Sequence, residues 1–208
     1  MDYQVKLFHH FNEDLKLNWR NLEKDSYHNC FNSLAWVENY ASSFKKSMND
    51  FQLRVFVIFH KDRPICIFPF EIIKKYKINI LKWAGDAKSD FNKPIKKKNF
   101  SFEKESFKLI WNKILQMMPE LDLIYLKNQI NFSESQNNPL VNILKNLKEG
   151  VIYQITLPDK WKDYTNTVLK KKFYSDLMRT KRLIKKNGKV EFLIAKNSEE
   201  KKIFLNLL

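Results

Sequence analysis

Apolar residues recur at helical spacing in three segments of the first 118 residues. The first predicted helix follows Asn12, a residue type that caps helices well. A second is predicted to begin at Ser33, and a third to run from Ser101 to about Met118, where Pro119 ends it. The stripe of the first helix consists of Phe11, Leu15, Trp19 and Leu22, and the second is predicted to bury Trp36, Val37, Tyr40 and Phe44.

Between the second and third helices, the pattern changes to that of strands. Leu53 to Phe59 and Ile65 to Ile73 are rich in β-branched and aromatic residues, and turn-forming residues separate them, so they are predicted to form a hairpin. Both arms are almost continuously apolar, which favours a sheet covered on both faces. Pro69 predicts a bulge or a sheet edge, and Ile78 to Trp83 reads as a third strand.

The C-terminal part is dominated by a predicted long helix from Asp159 to Lys189, which carries an apolar stripe and a dense basic face. Gly188 is expected to end it in the left-handed conformation. Weaker patterns predict strands at 121–126, 151–157 and 190–195, a short helix at 139–147 and a helix that opens at Ser198.

These elements predict an α/β fold with a mixed central sheet and helices on both faces. Residues 1–158 are expected to form the first domain, 159–188 a basic connecting helix, and 189–208 the first strand and helix of a second domain. One strand and one helix cannot bury their apolar faces alone, so a second domain is expected to continue beyond Leu208.

Two regions account for the net charge of +15: residues 170–189 and residues 61–98. This distribution favours an anionic partner, although a compositional bias towards lysine explains it equally well. For the basic helix, a merely solvated face is the alternative. Arg179 and Arg182 are the most informative residues, because a guanidinium pairs with two oxygens of a phosphate or carboxylate.

Several familiar chemistries have no motif in the sequence. The histidines form no metal-binding pair, the serines lack a nucleophile elbow, and the three glycines are isolated, so no phosphate-binding loop is formed. No metal site is expected. Cys30 and Cys66 read as buried thiols of a reducing compartment. No apolar run is long enough for a membrane span, and the cytoplasm is the expected location.

Three segments together resemble one family. They are Phe31 to Trp36, Trp83 to Phe91, and Lys171 to Phe192, the last of which reads KKFYSDLMRTKRLIKKNGKVEF. In this order they resemble the CelD-type, or BioF-like, acetyltransferases of the GNAT superfamily, which are related to the FemAB transferases. The family's helix pattern, KKFRRNLRRARRRL, has basic residues where this chain has Tyr174, Ser175 and Met178.

The resemblance implies a GNAT-like first domain, the basic linker helix, and the start of a second GNAT-like domain that binds acetyl-CoA or another acyl-CoA as donor. That donor site is expected outside these residues. The acceptor is expected to be an anionic small molecule or a glycan precursor. The residues assigned to its binding are Trp83, Ser89, Asp90, Phe91, Lys172, Arg179 and Arg182, and no catalytic base is assigned.

The leading hypothesis is therefore an N- or O-acyltransferase of envelope or exopolysaccharide synthesis, with peripheral contact to inner-membrane envelope machinery as a further expectation. A second hypothesis is a module that binds nucleic acid through the basic helix and the lysines of residues 93–98. A third is a noncatalytic envelope-assembly protein with a transferase-like fold. Asp90, in a turn, suits either a substrate contact or the turn itself.

Overall fold

The computed structural model describes residues 3–45, 51–129, 138–145, 151–152 and 155–207. The chain divides into two compact units, residues 1–149 and 150–208. Among the described residues, the first unit contains the sheet and three α-helices, and the second unit contains three further α-helices.

Six strands form one mixed sheet in the first unit: β1 (Tyr3–Phe8), β2 (Phe51–His60), β3 (Arg63–Lys75), β4 (Ile78–Trp83), β5 (Ile95–Lys96) and β6 (Leu123–Ile124). The order is β1-β2-β3-β4-β6, and β5 pairs with β3 beyond the end of β4. All pairs are antiparallel except β4 with β6. The predicted hairpin and third strand are confirmed.

Helices cover both faces of the sheet, as the apolar strands predicted. One face packs against α3 (Lys104–Gln116), whose residues Phe107, Ile110 and Ile114 are buried. The other packs against α1 (Glu13–Lys24) and α2 (Leu34–Lys45), through residues that include Trp19 and Val37. Successive residues of a strand point to opposite faces, so from Cys66 to Ile72 the even-numbered residues of β3 face α3, and Ile67 faces α1 and α2.

The turns and caps agree in part with the predictions. Asn12 caps α1 through a hydrogen bond from the Leu15 amide, 2.9 Å long. The β2–β3 turn is two residues, Lys61 and Asp62, both with positive φ, as expected for a tight hairpin. The β2–β3 ladder shifts register between Ile58 and Phe59 and not at Pro69, so of the two alternatives predicted for Pro69 the bulge is wrong.

Pro69 is tolerated inside the sheet because pairing on one side of β3 passes there from β5 to β4. The ladder with β5 includes Ile67, and the ladder with β4 begins at Phe70. The Pro69 carbonyl accepts a hydrogen bond from the Ala84 amide at 2.9 Å. Its nitrogen has no hydrogen to donate, and neither the ladder with β4 nor the ladder with β5 includes Pro69.

The second helix differs from its prediction in which residues it buries. Leu34, Val37 and Ala41 are buried, whereas Trp36, Tyr40 and Phe44 are only half-buried. A helix of this length presents one stripe to the sheet. The half-buried stripe flanks it and faces the turn that follows β4, where Trp36 contacts Ser89.

In the second unit, the predicted long helix is two helices. These are α4 (Trp161–Thr167) and α5 (Lys171–Lys186), and Lys170 between them has extended backbone angles. Residues 165–168 are poor helix formers, and the hydroxyls of Thr165 and Thr167 bond to backbone carbonyls of the preceding turn. The basic helix is therefore shorter than predicted.

Other weak predictions are corrected. Residues 190–195 form no strand, and neither do the described residues of 151–157, since no partner strand pairs with them in the described part of the chain. Residues 139–142 are a 3-10 helix, and residues 146 and 147 lie outside the description. Gly188 has a φ of 154°, far from the left-handed helical region. The helix opening at Ser198 is confirmed as α6 (Ser198–Asn206).

Two further findings concern the cysteines and the membrane. Cys66 is buried as predicted, but Cys30 is exposed, because it begins a short 3-10 turn at the surface. Among the described residues, no helix is both long and apolar enough to cross a bilayer.

Candidate functional site

A carboxylate lies buried in the middle of the sheet. Glu71 is on β3, is 3% exposed, and belongs to the face that packs against α2. Its neighbours across the sheet are Leu53 on β2 and Lys82 on β4. Acidic side chains are rarely buried to this extent without a partner, so its contacts define the site.

Two donors surround the Glu71 carboxyl group. The hydroxyl of Tyr40, on α2, makes a side-chain hydrogen bond with it. The amide of Gly85, in the turn after β4, donates to Oε2 at 3.4 Å. Helix, central strand and turn therefore meet at one carboxyl group, which we call the Glu71 site.

Burial raises the pKa of Glu71 to about 7, and the bonds from Tyr40 and Gly85 oppose that rise only in part. The negative charge of Asp86 adds to it, while Lys82 acts against it. Burial likewise raises the pKa of the Tyr40 phenol, with Glu71 contributing next. Glu71 thus exchanges its proton near neutral pH, which is the property of an effective general base or acid.

A buried ion pair flanks the site. Lys82 Nζ lies 2.7 Å from Asp86 Oδ2, and the side chains of Lys82 and Asp86 are 15% and 1% exposed. The second oxygen of Asp86, Oδ1, is buried and has no hydrogen-bond partner among the described residues. Such a pair is costly to disrupt because the remaining charge would be stranded.

Gly85 is required by the shape of the turn. Its φ is +89°, a conformation that side chains rarely adopt. A Cβ added here would lie 3.0 Å from Ser89 Oγ and 3.2 Å from Trp36 Nε1. The turn is therefore closed tightly over the Glu71 site by residues of two different segments.

The structure brings together the first two of the three segments that resemble the acetyltransferase family. Trp36 Nε1 donates to Ser89 Oγ at 3.2 Å. The rings of Phe31 and Phe91 are 6.2 Å apart in an edge contact, and Asn32 Nδ2 donates to the Lys93 carbonyl. The third segment lies mainly on α5 in the second unit.

The predicted acceptor-binding residues lie in different environments. Trp83 is 1% exposed and packs against Phe70 at a ring distance of 4.9 Å, so it belongs to the core. Ser89 is buried, and its carbonyl accepts a hydrogen bond from Asn128. Asp90 is exposed. Phe91 is 36% exposed.

The three basic residues assigned to the acceptor lie on α5. Lys172, Arg179 and Arg182 are all exposed, and Arg182 Nε donates to the Met178 carbonyl of its own helix. The predicted residues from Trp83 to Phe91 therefore belong to the first unit, and the three basic residues belong to the second.

The lysine-rich segment 93–98 packs against other parts of the first unit. Lys93 and Lys96 are buried, and burial lowers the pKa of each ammonium group. Lys97 lies 3.6 Å from Asp25, and Lys98 lies over the ring of Tyr27. Two of its lysines are therefore not presented to solvent, which weakens the expectation that this segment grips nucleic acid.

The sequence prediction missed the Glu71 site. One signal was available: Glu71 is the single charged residue within Ile65 to Ile73, and a charge inside an otherwise apolar strand needs partners. The partners themselves come from α2 and from the turn after β4, and only the fold shows that these meet. No group of three or more potential metal ligands occurs in the described part of the chain.

Comparisons with known proteins find only low similarity, and only to solved structures. No family model and no curated protein sequence matches the chain. Among solved structures, an aminoglycoside acetyltransferase from an uncultured soil metagenomic sample, in complex with sisomicin, is 9% identical with a TM-score of 0.40, over 75% of this chain and 97% of that one.

Two other solved structures are similar to the same degree. A second soil metagenomic aminoglycoside acetyltransferase is 11% identical, with a TM-score of 0.42, over 77% of this chain and 100% of that one. A GNAT family acetyltransferase from Staphylococcus aureus subsp. aureus is 14% identical, with a TM-score of 0.37, over 74% and 100% of the two chains. Likeness at this level does not assign the chain to a family.

Proposed function

We propose that this chain is part of an acyl-CoA-dependent N- or O-acyltransferase that acts on a sugar or on an envelope or exopolysaccharide precursor. The observation that carries the proposal is the Glu71 site, a buried carboxyl group whose pKa is raised to about 7 beside a half-buried phenol. The resemblance of three sequence segments to the CelD-type acetyltransferases supports the choice of acyl transfer.

The chemistry proposed for the site is removal of a proton from the acceptor. An amine or hydroxyl becomes a better nucleophile as it loses its proton, and a base with a pKa near the working pH is best suited to take it. Glu71 is buried, whereas Tyr40 is half-buried and hydrogen-bonded to it. In the proposal, Tyr40 contacts the acceptor and passes the proton to Glu71 as the acceptor attacks the thioester.

The acceptor is proposed to contact exposed side chains. Phe91 offers an apolar ring against which a sugar can lie, and Asp90 beside it offers a hydrogen-bond acceptor for hydroxyl or amino groups. Lys172, Arg179 and Arg182 on α5 are exposed cations suited to the phosphate of a nucleotide-linked or lipid-linked acceptor.

Acyl-CoA would supply the activated thioester, and its pyrophosphate needs backbone amides that are open to the ligand. The turn at Gly85 offers no such open amide, because the Gly85 amide already donates to Glu71 and side chains fill the adjacent space. We therefore assign no donor contact to the first unit. The proposal limits the role of the first unit to binding the acceptor and accepting its proton.

The test is a transfer assay with the purified whole protein of which this chain is proposed to be part, acetyl-CoA and a panel of amino sugars and nucleotide-linked sugars, read as release of the CoA thiol. We expect Glu71→Gln to lower kcat by about 100-fold, the lower end for loss of a general base. The wild-type kcat/KM should also bend near the pKa of Glu71, and the variant should lose that bend. Glu120→Gln, at an exposed acid, is the control.

Two results would count against the proposal. If the wild type releases no thiol above the spontaneous rate with any acceptor, then acyl transfer is not supported and the noncatalytic alternative is favoured. If the wild type is active and Glu71→Gln is equally active, acyl transfer stands but the role given to Glu71 is wrong.

The nucleic-acid alternative rests on α5, whose seven basic residues and single acid, Asp176, are exposed. It predicts that affinity for a fluorescein-labelled single strand falls by orders of magnitude between roughly 50 and 200 mM salt. Fluorescence anisotropy measures this directly. Absence of binding at the lower salt concentration would remove the alternative.

A further inference from the structure

The sheet has a notch at its outer edge, on the β1 side of β2. β1 pairs with β2 only over Val55 to His60, so the first residues of β2 extend past the end of β1. The chain turns away there through His9 and His10 and enters α1. A cavity of about 340 Å³ lies in this notch, between the start of β2, the segment 9–11 and α2. That volume is within the range of sites for small ligands.

Arg54 on the wall of this cavity has unused hydrogen-bond donors. Its Nη1 donates to the Leu53 carbonyl at 2.9 Å, and its Nη2 donates to Gln52 Oε1 at 2.6 Å. Its Nε is buried and has no partner among the described residues. A guanidinium has five N–H groups in a planar fork. Besides the buried Nε–H, one N–H on each of Nη1 and Nη2 therefore remains for a ligand.

The charge of Arg54 is also uncompensated. No carboxylate lies within ion-pair distance of it in the part of the chain that the structure describes, and burial lowers the pKa of its guanidinium. A partly buried cation without an anion is energetically unfavourable. An oxyanion in the cavity would relieve that cost.

The remaining polar groups on the wall favour an anion as well. Desolvation lowers the pKa of His9, and the charges of Arg54 and His10 lower it further. All three residues line the cavity. The acid on the opposite wall, Glu38, is held by Lys16 at 2.7 Å. The charge of Glu38 is therefore compensated by Lys16, and no carboxylate of the described residues pairs with Arg54.

The apolar part of the wall indicates the rest of the ligand. Phe11 and Phe51 line the cavity together with Leu53 and Ala41. Phe11 is fixed against Trp19 at a ring distance of 5.9 Å, and Phe51 against Tyr40 at 6.0 Å. Two aromatic rings, each held against another aromatic side chain, suit a compact apolar or aromatic body.

We propose that this cavity is a binding site for a small molecule that joins a carboxylate or phosphate group to a compact apolar body. The oxyanion is held by Arg54 with His9 and His10, and the body lies against Phe11 and Phe51. This site does not depend on the acyltransferase proposal, because none of the groups that would hold its ligand takes part in the proton transfer proposed for Glu71 and Tyr40.

The test uses the whole chain and two probes, phenyl phosphate and benzoate, which place each oxyanion on the same ring. Binding is followed by NMR through the ring signals of His9 and His10, with His28 and His60 as internal references. We expect saturable shifts confined to His9 and His10. Arg54→Gln should weaken binding at least tenfold, whereas Arg63→Gln, at an exposed arginine outside the cavity, should change it less than twofold.

Additional variants keep the test decisive. Arg54→Lys retains the charge but not the fork and should weaken binding to an intermediate degree. His10→Gln, at an exposed position, should weaken binding without a risk to folding. Binding of one probe alone identifies which oxyanion the site takes. If neither probe shifts His9 or His10, or if Arg54→Gln, Arg54→Lys and His10→Gln all bind as wild type does, the proposal is overturned.

Discussion

As the pH rises from 5 to 8, the free energy of unfolding of the Glu71→Gln variant is expected to increase by roughly 2 to 3 kcal/mol relative to that of wild type. The gain arises because the folded protein resists ionisation of Glu71. Its pKa is about 7 in the folded state against an ordinary value of 4.5. Glutamine has nearly the same shape but no proton to lose.

The sign follows from which state holds the proton. Below pH 4.5 the carboxyl group is neutral in both states, so it adds no pH dependence. As the pH rises through 4.5 towards 7, the unfolded chain ionises while the folded chain does not, and the wild type loses stability. Above about 7 both states are ionised, and the loss is complete.

The measurement is urea unfolding followed by tryptophan fluorescence at several pH values, with wild type and variant compared at each. Other groups titrate identically in the two proteins, so the difference isolates Glu71. Glu120→Gln is the control and should run parallel to wild type. A difference between wild type and Glu71→Gln that stays constant from pH 5 to pH 8 would show that Glu71 ionises normally in the folded protein.

Asp86→Asn is expected to destabilise the protein by roughly 3 kcal/mol at pH 5, the lower end for removal of one partner of a buried ion pair. At that pH Glu71 retains its proton, so Lys82 is left without a carboxylate. At pH 8 the cost should be smaller by at least about 1 kcal/mol, because Glu71, which is opposite Lys82 across the strands, ionises and takes the place of Asp86.

The matched control is Asp25→Asn. Asp25 pairs with Lys97 at 3.6 Å, and its side chain is 53% exposed, so its loss should cost less than about 1 kcal/mol at either pH. Urea unfolding again provides the measurement. An Asp86→Asn cost no larger than that of Asp25→Asn would mean that the Lys82 ion pair is not buried in solution.

The parts of the fold that were predictable are those in which local pattern and tertiary packing agree. The Leu53 to Ile73 hairpin has an apolar run on each side of a two-residue turn, and α1 has both an apolar stripe and a cap at Asn12. For such segments one face must be buried whatever the rest of the chain does. The coverage of the sheet on both faces followed from the same reasoning.

The Glu71 site was not predicted because it depends on contacts between residues that are distant in sequence. The Glu71 site needs Tyr40 and Gly85, which lie 31 positions before it and 14 after it, and no spacing rule links them. The break between α4 and α5 depends on weak propensities that an otherwise regular basic pattern outweighed. Of the predicted site residues, Trp83 matches its motif yet lies in the core, because a sequence pattern does not distinguish an aromatic residue that packs from one that binds.

The most direct test of the central claim, that Glu71 holds a proton near neutral pH, is an NMR titration of the whole protein labelled with ¹³C at the glutamate carboxyl carbons. The Glu71 signal is assigned by its absence from Glu71→Gln. We predict that this carboxyl group titrates with a pKa of about 7. A pKa at or below the ordinary value of 4.5 would contradict the account and remove the basis for Glu71 as the proton acceptor.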